Sequence, residues 1–443
     1  MKVNKEEFAS KMLDLCKKHG ATDAEVMIGE SADLSVSCRN GKPENLERSE
    51  SFGYGLRVFM GKQSATISSS KFTDTESMVE TAINMAKIAP ADEFAGLADV
   101  GDLARNIQNL DLMDDKEPSA HELQQMVEQA EKAALCVKGV TNSEGADASH
   151  SRFDVTLATT RGFINSHSAT RSGISVTVLA GEGENMQRDY EYSTSRFFSD
   201  LEAPQEIGKL AAERAVEKLN PRKVASGKFP VVYDKRISRN LLSDLASGVN
   251  GAAVARGTSF LKNKMGEPLF AKNINIVDDP LIKKALGSRP FDGEGVACGK
   301  IKVVENGVLK SWFLDVRSAN QLKTKTNGRA SRGVGSNPSP SCTNFYMENG
   351  SQSLKEILSS IKSGFYVTDT FGMGINYTTG DYSQGASGFW IENGEIAFPV
   401  SEITIASNLL DMFKMMIPAN DLEFKYSINA PTLLVENMTI AGV

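Results

Sequence analysis

The sequence predicts an α+β protein. Its N-terminal half is a duplicated helix–strands–helix unit, and its C-terminal half is a mainly antiparallel, barrel-like β-rich domain with a few helices. Helical periodicity on both sides of strand-like segments predicts the units, and Asn-Gly pairs between apolar runs predict hairpins further on. Glycines at the ends of strand-like runs recur after 121, 120 and 120 residues, in the pairs Gly41 and Gly162, Gly53 and Gly173, and Gly61 and Gly181.

The composition is typical of a folded, acidic protein. The chain has 443 residues, of which 40% are hydrophobic, and its formal net charge is −7. This apolar fraction excludes low-complexity disorder, and the negative balance disfavours a nucleic-acid partner. No apolar run approaches the roughly 18 residues that a membrane-spanning helix needs. The N-terminus lacks the apolar core of a signal peptide, and the five cysteines form no CxxC pair, so a cytoplasmic location is expected.

The first unit begins with a helix predicted over residues 4–19, because an asparagine can cap its start and Gly20 can end it. Strand-like segments follow at 34–38 and 54–60. A second helix is predicted over 75–89, where four apolar residues share one face and a proline follows.

The second unit repeats this order. Ser119 and Glu122 have the spacing of a capping box in front of an apolar stripe, which predicts a helix. Strands are predicted over 153–160 and 174–180, and a closing helix over 205–219. The repeated order supports an internal duplication.

The third region has a different sequence pattern, because turn-forming residues such as Asn-Gly pairs are frequent in it. A strand over 229–233 leads into a helix over about 237–249. Asn-Gly pairs predict hairpins at 303–309 and 390–396, and a short helix is predicted over 354–361.

Domain boundaries follow from these changes of pattern. We expect an N-terminal α/β unit at 1–115, a second unit at 116–222 and the β-rich domain at 223–443. Glycine- and serine-rich stretches at 328–341 and 371–388 are predicted to be loops, and long loops in compact domains are often functional.

Short catalytic motifs are absent from the sequence. His121 and Glu122 form the only His-Glu dipeptide, but Gln125 and Met126 stand where a zinc-protease helix would need a second histidine. His150 and His167 are isolated, and no histidine follows them, so a nucleophile in the C-terminal half has no visible base.

Four longer stretches carry a resemblance to a known family. They are 39–70 (RNGKPENLERSESFGYGLRVFMGKQSATISSS), 289–322 (RPFDGEGVACGKIKVVENGVLKSWFLDVRSANQL), 371–413 (FGMGINYTTGDYSQGASGFWIENGEIAFPVSEITIASNLLDMF) and 430–442 (APTLLVENMTIAG). Together they resemble the TldD/PmbA family, also named modulators of DNA gyrase. The likeness covers nearly the whole chain and is closer to the PmbA branch, also called TldE.

The resemblance also identifies what this chain lacks. One subunit of the family carries an HExxxH helix that holds zinc together with a later cysteine. Counting back from the matching segment Arg256-Gly-Thr-Ser259, Leu242 and Ser247 replace the two histidines, and Ser243 replaces the general-base glutamate. No cysteine follows Cys342. The resemblance therefore implies that this chain has no cofactor and that zinc belongs to a partner subunit.

The leading hypothesis is that this chain is the PmbA/TldE-like, non-metal-binding subunit of a metallopeptidase complex. The implied partners are an HExxxH-bearing TldD-like paralogue and unfolded or linear peptides, with a homodimer as an alternative assembly. Whether this chain is an enzyme by itself stays open, since the family performs proteolysis and the ligands are missing. The candidate peptide- or partner-facing residues lie in three presumed loops: Asp292, Glu294, Asp369, Gly372, Gly374, Asp381, Gly385 and Gly388.

Two alternatives stay open at this stage. One is a non-enzymatic binding or regulatory protein that acts on gyrase or on toxin–antitoxin proteins through protein contacts. The other is an autonomous hydrolase without zinc, which the missing nucleophile–base pair disfavours.

Overall fold

The computed structural model describes residues 4–372 and 374–442, apart from the side chain of Glu184. The helices are α1 (Lys5–Lys18), α2 (Thr75–Ile88), α3 (Ala120–Leu135), α4 (Pro204–Glu217), α5 (Lys235–Gly248), α6 (Gly251–Ala255), α7 (Val316–Gln321), α8 (Leu354–Ser359) and α9 (Leu409–Lys414).

The strands of the N-terminal half are long, whereas many in the C-terminal half are short. They are β1 (Asp23–Arg39), β2 (Lys42–Met60), β3 (Gln63–Ser69), β4 (Val140–Thr159), β5 (Ile164–Ala180), β6 (Gln187–Ser195), β7 (Gly227–Tyr233), β8 (Ile276–Asp278), β9 (Ile301–Glu305), β10 (Val308–Leu309), β11 (Ala330–Ser331), β12 (Ser339–Pro340), β13 (Phe345–Met347), β14 (Ser363–Phe371), β15 (Ile375–Asn376), β16 (Asp381–Glu392), β17 (Glu395–Asn408), β18 (Met416–Pro418), β19 (Ile428–Asn429) and β20 (Leu433–Ala441).

The duplication predicted from the sequence is confirmed. Helix α1, strands β1–β3 and helix α2 form the first unit, and α3, β4–β6 and α4 repeat the same order as the second unit. The six strands form one antiparallel sheet in the order β3-β2-β1-β4-β5-β6, so the two units meet at β1 and β4. The paired glycines also match, because Gly41 and Gly162 each turn a first strand into a second one.

One face of this sheet is covered by all four helices of the units. Even-numbered residues of β1 pack against them: Val26 and Ile28 contact the first unit's helices, and Leu34 and Val36 contact the second unit's helices. Their common face follows from the period-2 alternation of strand side chains. The predicted capping box is present, since Ser119 accepts a hydrogen bond from the backbone N–H of Glu122 and the Glu122 carboxylate accepts one in return.

The opposite face of the sheet contacts the C-terminal domain. The segment between β11 and β12 lies across the first unit, and Val334 sits directly over a patch of glycines. A Cβ atom on Gly55 would lie 1.6 Å from the Val334 carbonyl oxygen, so only glycine fits there. Beside it, the buried Glu25 carboxylate pairs with both Arg57 and Arg332. The predicted loop at 328–341 therefore fastens two domains together.

The outer edge of β2 is only half covered. Strand β3 pairs with Tyr54–Met60, whereas residues 42–50 of β2 are all exposed. Their pairing with β1 slips by one residue between Ser37 and Cys38, opposite Pro43 and Asn45. The start of β2 is therefore an open sheet edge.

The C-terminal domain is built around a closed barrel, as the sequence predicts. Strands β7, β20, β17, β16 and β14 pair in a ring, with one parallel contact, between β14 and β7. A second sheet has the order β10-β9-β8-β13-β19. Helix α5 packs its leucines into the hydrophobic core that the barrel strands share.

Both predicted Asn-Gly hairpins are present in this domain. Asn306 and Gly307 join β9 to β10 with φ of 49° and 77°, and Asn393 and Gly394 join β16 to β17 with φ of 51° and 88°. Positive φ at both central residues is the type I′ geometry that matches strand twist.

The prediction of a loop at 371–388 is wrong, because most of these residues belong to strands β14, β15 and β16. Strand β16 begins at Asp381, and its buried residues alternate at Tyr382, Gln384, Ala386 and Gly388. Glycine and serine made this alternation resemble turn chemistry, yet small residues suit a strand that others cross closely. Residue 373 lies outside the described residues.

Within the described ranges, 4–372 and 374–442, none of the helices has the length and apolar character needed to cross a membrane.

Candidate functional site

Helix α5 carries the positions that the resemblance assigns to zinc ligands. Strand β7 leads directly into it, and the Asp234 side chain caps its start by accepting a hydrogen bond from the Arg236 N–H. Leu242 is only 1% exposed and belongs to the barrel core. Ser243 is half-buried, and Ser247 is exposed, with its hydroxyl donating to the Ser243 carbonyl at 3.0 Å. Leu242 thus lies in the core, whereas Ser247 is exposed to solvent.

The chemistry of these side chains does not fit zinc. Zinc in proteins is held by imidazole, thiolate or carboxylate groups, and a leucine with two serines offers none of them. The described residues, which omit 1–3, 373 and 443, contain no cluster of three or more histidine, cysteine, aspartate or glutamate side chains arranged for a metal. Leu242, Ser243 and Ser247 therefore supply none of the ligands through which a metal would lower the pKa of a bound water.

A buried carboxyl occupies the same helix instead. Asp244 accepts a hydrogen bond of 3.0 Å from the Tyr377 hydroxyl, which comes from the turn between β15 and β16. Burial raises the pKa of Asp244 to about 6, although the bond from Tyr377 opposes the shift. The Tyr233 and Tyr382 hydroxyls lie 3.4 Å apart nearby, and burial raises the pKa of each of these tyrosines.

Tyr377 also ties the β15–β16 turn to the segment after α6. Its carbonyl accepts a hydrogen bond of 2.8 Å from the Phe260 N–H. The structure thus brings the turn between β15 and β16, which lies in one of the three predicted site regions, into contact with α5. The contact runs through Tyr377, which was not among the predicted site residues.

Asp292 and Glu294, two of the predicted peptide- or partner-facing residues, are buried in this structure, at 2% and 3% exposed. The Asp292 carboxylate accepts hydrogen bonds from the backbone N–H groups of Glu294, Val296 and Ala330 at 2.9–3.0 Å. Glu294 accepts one of 2.8 Å from the Val316 N–H at the start of α7. Burial raises the pKa of both carboxyls. They satisfy backbone groups that would otherwise be orphaned.

Three of the predicted glycines serve close packing of strands. Added Cβ atoms on Gly374, Gly385 and Gly388 would lie 1.5, 2.2 and 2.1 Å from the Ser383 carbonyl, the Phe371 ring and the Tyr366 carbonyl. Gly385 and Gly388 lie on β16 and are not loop residues. Their smallness is explained by the barrel itself.

The other predicted residues are accessible at one rim of the barrel. Asp369 is half-buried on β14, Gly372 is exposed just after that strand, and Asp381 is exposed at the start of β16. Hydrogen bonds from the Thr379 hydroxyl and the Asn408 amide lower the pKa of Asp381.

A charged seam between the second unit and the C-terminal domain was not among the predicted sites. Asp189 on β6 is 2% exposed and lies 2.6 Å from the Lys218 ammonium and 3.2 Å from the Arg236 guanidinium. Burial alone would raise the pKa of Asp189, yet Lys218 and Arg236 hold it below its ordinary value. Cavities of about 250 and 430 Å³ lie beside this ion pair, and Arg214 and Arg236 line both.

One signal could have pointed to the seam. Lys235, Arg236 and Arg239 all lie in the first turns of α5, where the helix dipole disfavours cations. Basic residues at such a position are expected to have carboxylate partners from elsewhere in the fold.

Similarity to known proteins extends over nearly the whole chain. Residues 24–89, 114–219 and 226–442 match the first, central and C-terminal domains of a family described as PmbA/TldA metallopeptidase. The chain is 34% identical over 442 residues to the metalloprotease PmbA of Escherichia coli O157:H7, covering 99% of this chain and 96% of the relative.

More distant relatives extend the comparison. A metalloprotease TldD homologue of Buchnera aphidicola is 28% identical over 316 residues, covering 65% of each chain. A crystal structure from Bacteroides thetaiotaomicron, described as that of a proposed modulator of DNA gyrase, superposes with a TM-score of 0.92 at 27% identity and covers 100% of both chains.

Proposed function

The chain belongs to the PmbA/TldD metallopeptidase family, and on this premise we propose that it is the PmbA/TldE-like, non-metal-binding subunit of a cytoplasmic peptidase complex that acts on unfolded peptides. The observation that carries the proposal is the chemistry of α5. A core leucine and two serines stand at the positions that the resemblance assigns to two ligands and a base, so this helix cannot activate water through zinc.

The partner in this proposal is an HExxxH-bearing, TldD-like paralogue. The family includes relatives described as PmbA and relatives described as TldD, which supports two distinct chains. The partner would supply zinc, the metal-activated water and the general base. This chain would supply part of the surface on which an extended peptide lies, where strand addition could hold the backbone whatever its side chains. Asp369, Gly372 and Asp381 are its accessible candidates for that surface.

Reconstitution tests the proposal. This chain, the HExxxH-bearing paralogue and their mixture would each be assayed for zinc content and for cleavage of an unstructured peptide. We expect zinc in the paralogue and full cleavage in the mixture. A mixture made with a paralogue whose base glutamate is changed to glutamine is the control and should be inactive. One equivalent of zinc in this chain, or turnover by this chain alone, would contradict the proposal.

A second candidate function is a regulatory protein that binds gyrase. The description of the Bacteroides thetaiotaomicron relative favours it. The net charge of −7 makes a protein contact the expected mode, since an acidic chain is repelled by DNA. Light scattering would measure the molar mass of this chain alone and mixed with gyrase. A doubled mass alone would indicate a homodimer, a larger mass with gyrase would indicate a complex, and a monomer mass in both would contradict this candidate function.

A further inference from the structure

The smaller of the two cavities at the seam is lined by five basic residues and by two carboxylates, Glu191 and Glu423. It has a volume of about 250 Å³ and lies between α4, the start of α5 and the segment before β19. We call it the seam cavity. Its basic lining residues, together with the aromatic one, are Arg214, Lys235, Arg236, Arg239, Lys425 and Tyr426.

Four of these five cations have carboxylate partners within the chain. Arg214 pairs with Glu191 and Lys235 with Glu423. Arg236 pairs with Asp189, which also pairs with Lys218, and Lys425 pairs with Glu202. The N–O distances of the Arg236–Asp189 and Lys425–Glu202 pairs are 3.2 and 2.7 Å, so each of these four cations already has a carboxylate partner.

Arg239 differs from the other four. Within residues 4–372 and 374–442, its guanidinium has no carboxylate oxygen within 4.0 Å and its terminal nitrogens make no hydrogen bond. Its Nε donates to the Arg236 carbonyl at 3.1 Å, and its guanidinium lies 4.0 Å from the centroid of the Tyr426 ring. The Nε bond and the stacking fix the plane of the group, while the two terminal nitrogens are left as donors.

A fixed guanidinium with two free donors is suited to a carboxylate. Arginine binds planar oxyanions through two parallel hydrogen bonds, and a plane that is already held loses little entropy on binding. The cavity walls also include Leu210 and Ala430, which can contact an apolar side chain. A charged anchor beside apolar walls is the usual composition of a small-ligand site.

We propose that the seam cavity binds the terminal carboxylate of a short peptide, with the two terminal nitrogens of Arg239 as its donors. The peptide nature of the ligand rests on the proposed function, whereas the carboxylate chemistry rests on Arg239 alone. The site joins the second unit to the C-terminal domain, so an occupant would contact both.

Arg222 supplies a matched control. Its guanidinium also stacks on an aromatic ring, 4.5 Å from the centroid of Phe398, and within the described part of the chain it has no carboxylate at ion-pair distance. Arg222 is exposed and is not part of the seam cavity lining. The two arginines therefore share their stacking and lack of an ion pair but differ in location.

Calorimetric titration of this chain alone tests the proposal. The probes are the dipeptide Ala-Leu with a free carboxylate, the same dipeptide as its C-terminal amide, and inorganic phosphate. We expect the free acid to bind at least about tenfold more tightly than the amide, because a charge-assisted pair is lost in the amide. Arg239→Gln should weaken the free acid by a similar factor, and Arg222→Gln should leave it unchanged.

A conservative variant guards against a folding artefact. Arg239→Lys keeps the charge but removes the planar fork, so it should bind the free acid with intermediate affinity. Melting curves of all variants identify any that do not fold.

Several results would overturn the proposal: equal binding of acid and amide, tighter binding of phosphate than of the dipeptide, unchanged binding by Arg239→Gln, or no saturation by about 20 mM. Because the titration needs no partner chain, it can fail while reconstituted peptidase activity succeeds. Carboxylate binding can likewise be observed while reconstitution fails, so the two proposals are tested separately.

Discussion

The first and second units share one fold but contact the C-terminal domain through different chemistry. The first unit offers a sheet face on which Val334 lies against glycine, next to the Glu25 ion pairs. The second unit offers the charged seam around Asp189, and a ring contact between His167 and Phe291. In these contacts, the two units present different side chains to the C-terminal domain.

The largest expected effect comes from breaking the seam of the second unit. Asp189→Asn would leave Lys218 and Arg236 buried beside a neutral side chain. Removal of one partner from a buried ion pair typically costs about 3–5 kcal/mol, so the free energy of unfolding should fall by that amount in urea titrations.

Asp99→Asn is the control for this change, since Asp99 pairs with Arg161 but has an 84% exposed side chain. Its cost should stay below about 0.5 kcal/mol. A cost for Asp189→Asn as small as that of the control would mean that the seam does not hold the second unit in place.

The next effect concerns the first unit. Gly55→Ala would place a Cβ atom 1.6 Å from the Val334 carbonyl, so the segment between β11 and β12 must move. Overpacking of this kind costs about 1–3 kcal/mol, measured as the change in the free energy of unfolding. The displaced segment should also be cut faster in limited proteolysis.

The second unit provides the matched position, because Ser175 stands 120 residues after Gly55. Ser175→Ala should change stability by less than about 0.5 kcal/mol. If both substitutions had equal effects, the close fit of Val334 would not be what distinguishes the two units.

The last expected effect, which appears only at acidic pH, is the acid sensitivity of the second unit. Burial, together with the charges of Arg196 and Arg289, lowers the pKa of His167 to about 4, and the charge of Asp154 opposes this shift. The unfolded chain takes up this proton near pH 6.5, so stability is complete above that pH and falls as the pH drops towards 4.

His167→Gln should therefore reduce the loss of stability between pH 7 and pH 4.5 by at most about 3 kcal/mol, measured by urea unfolding at both values. His121→Gln, which changes an exposed histidine on α3, is the control and should leave the loss unchanged. If His167→Gln loses as much stability between pH 7 and pH 4.5 as the unchanged protein, this histidine is not the cause.

Periodicity and turn residues were enough to predict the duplicated units and both Asn-Gly hairpins, because these are local signals. The strand at Asp381 was wrongly predicted as a loop, since its glycines are required by strands that approach from elsewhere in the chain. The same limit applies to the site. The residues at the ligand positions could be read from the sequence, but the seam depends on pairs such as Asp189 and Arg236, which lie far apart in the chain.

The open edge of β2 has a consequence for the behaviour of the protein at high concentration. An exposed strand edge is a template on which another chain can add a strand, and repeated addition produces fibrous aggregates. Here Pro43 offers no N–H group, the pairing with β1 slips beside it, and Lys42, Glu44, Glu47, Arg48 and Glu50 place charges along the edge. These features disfavour pairing of the β2 edge with a strand from another chain, so the edge can remain exposed without promoting aggregation.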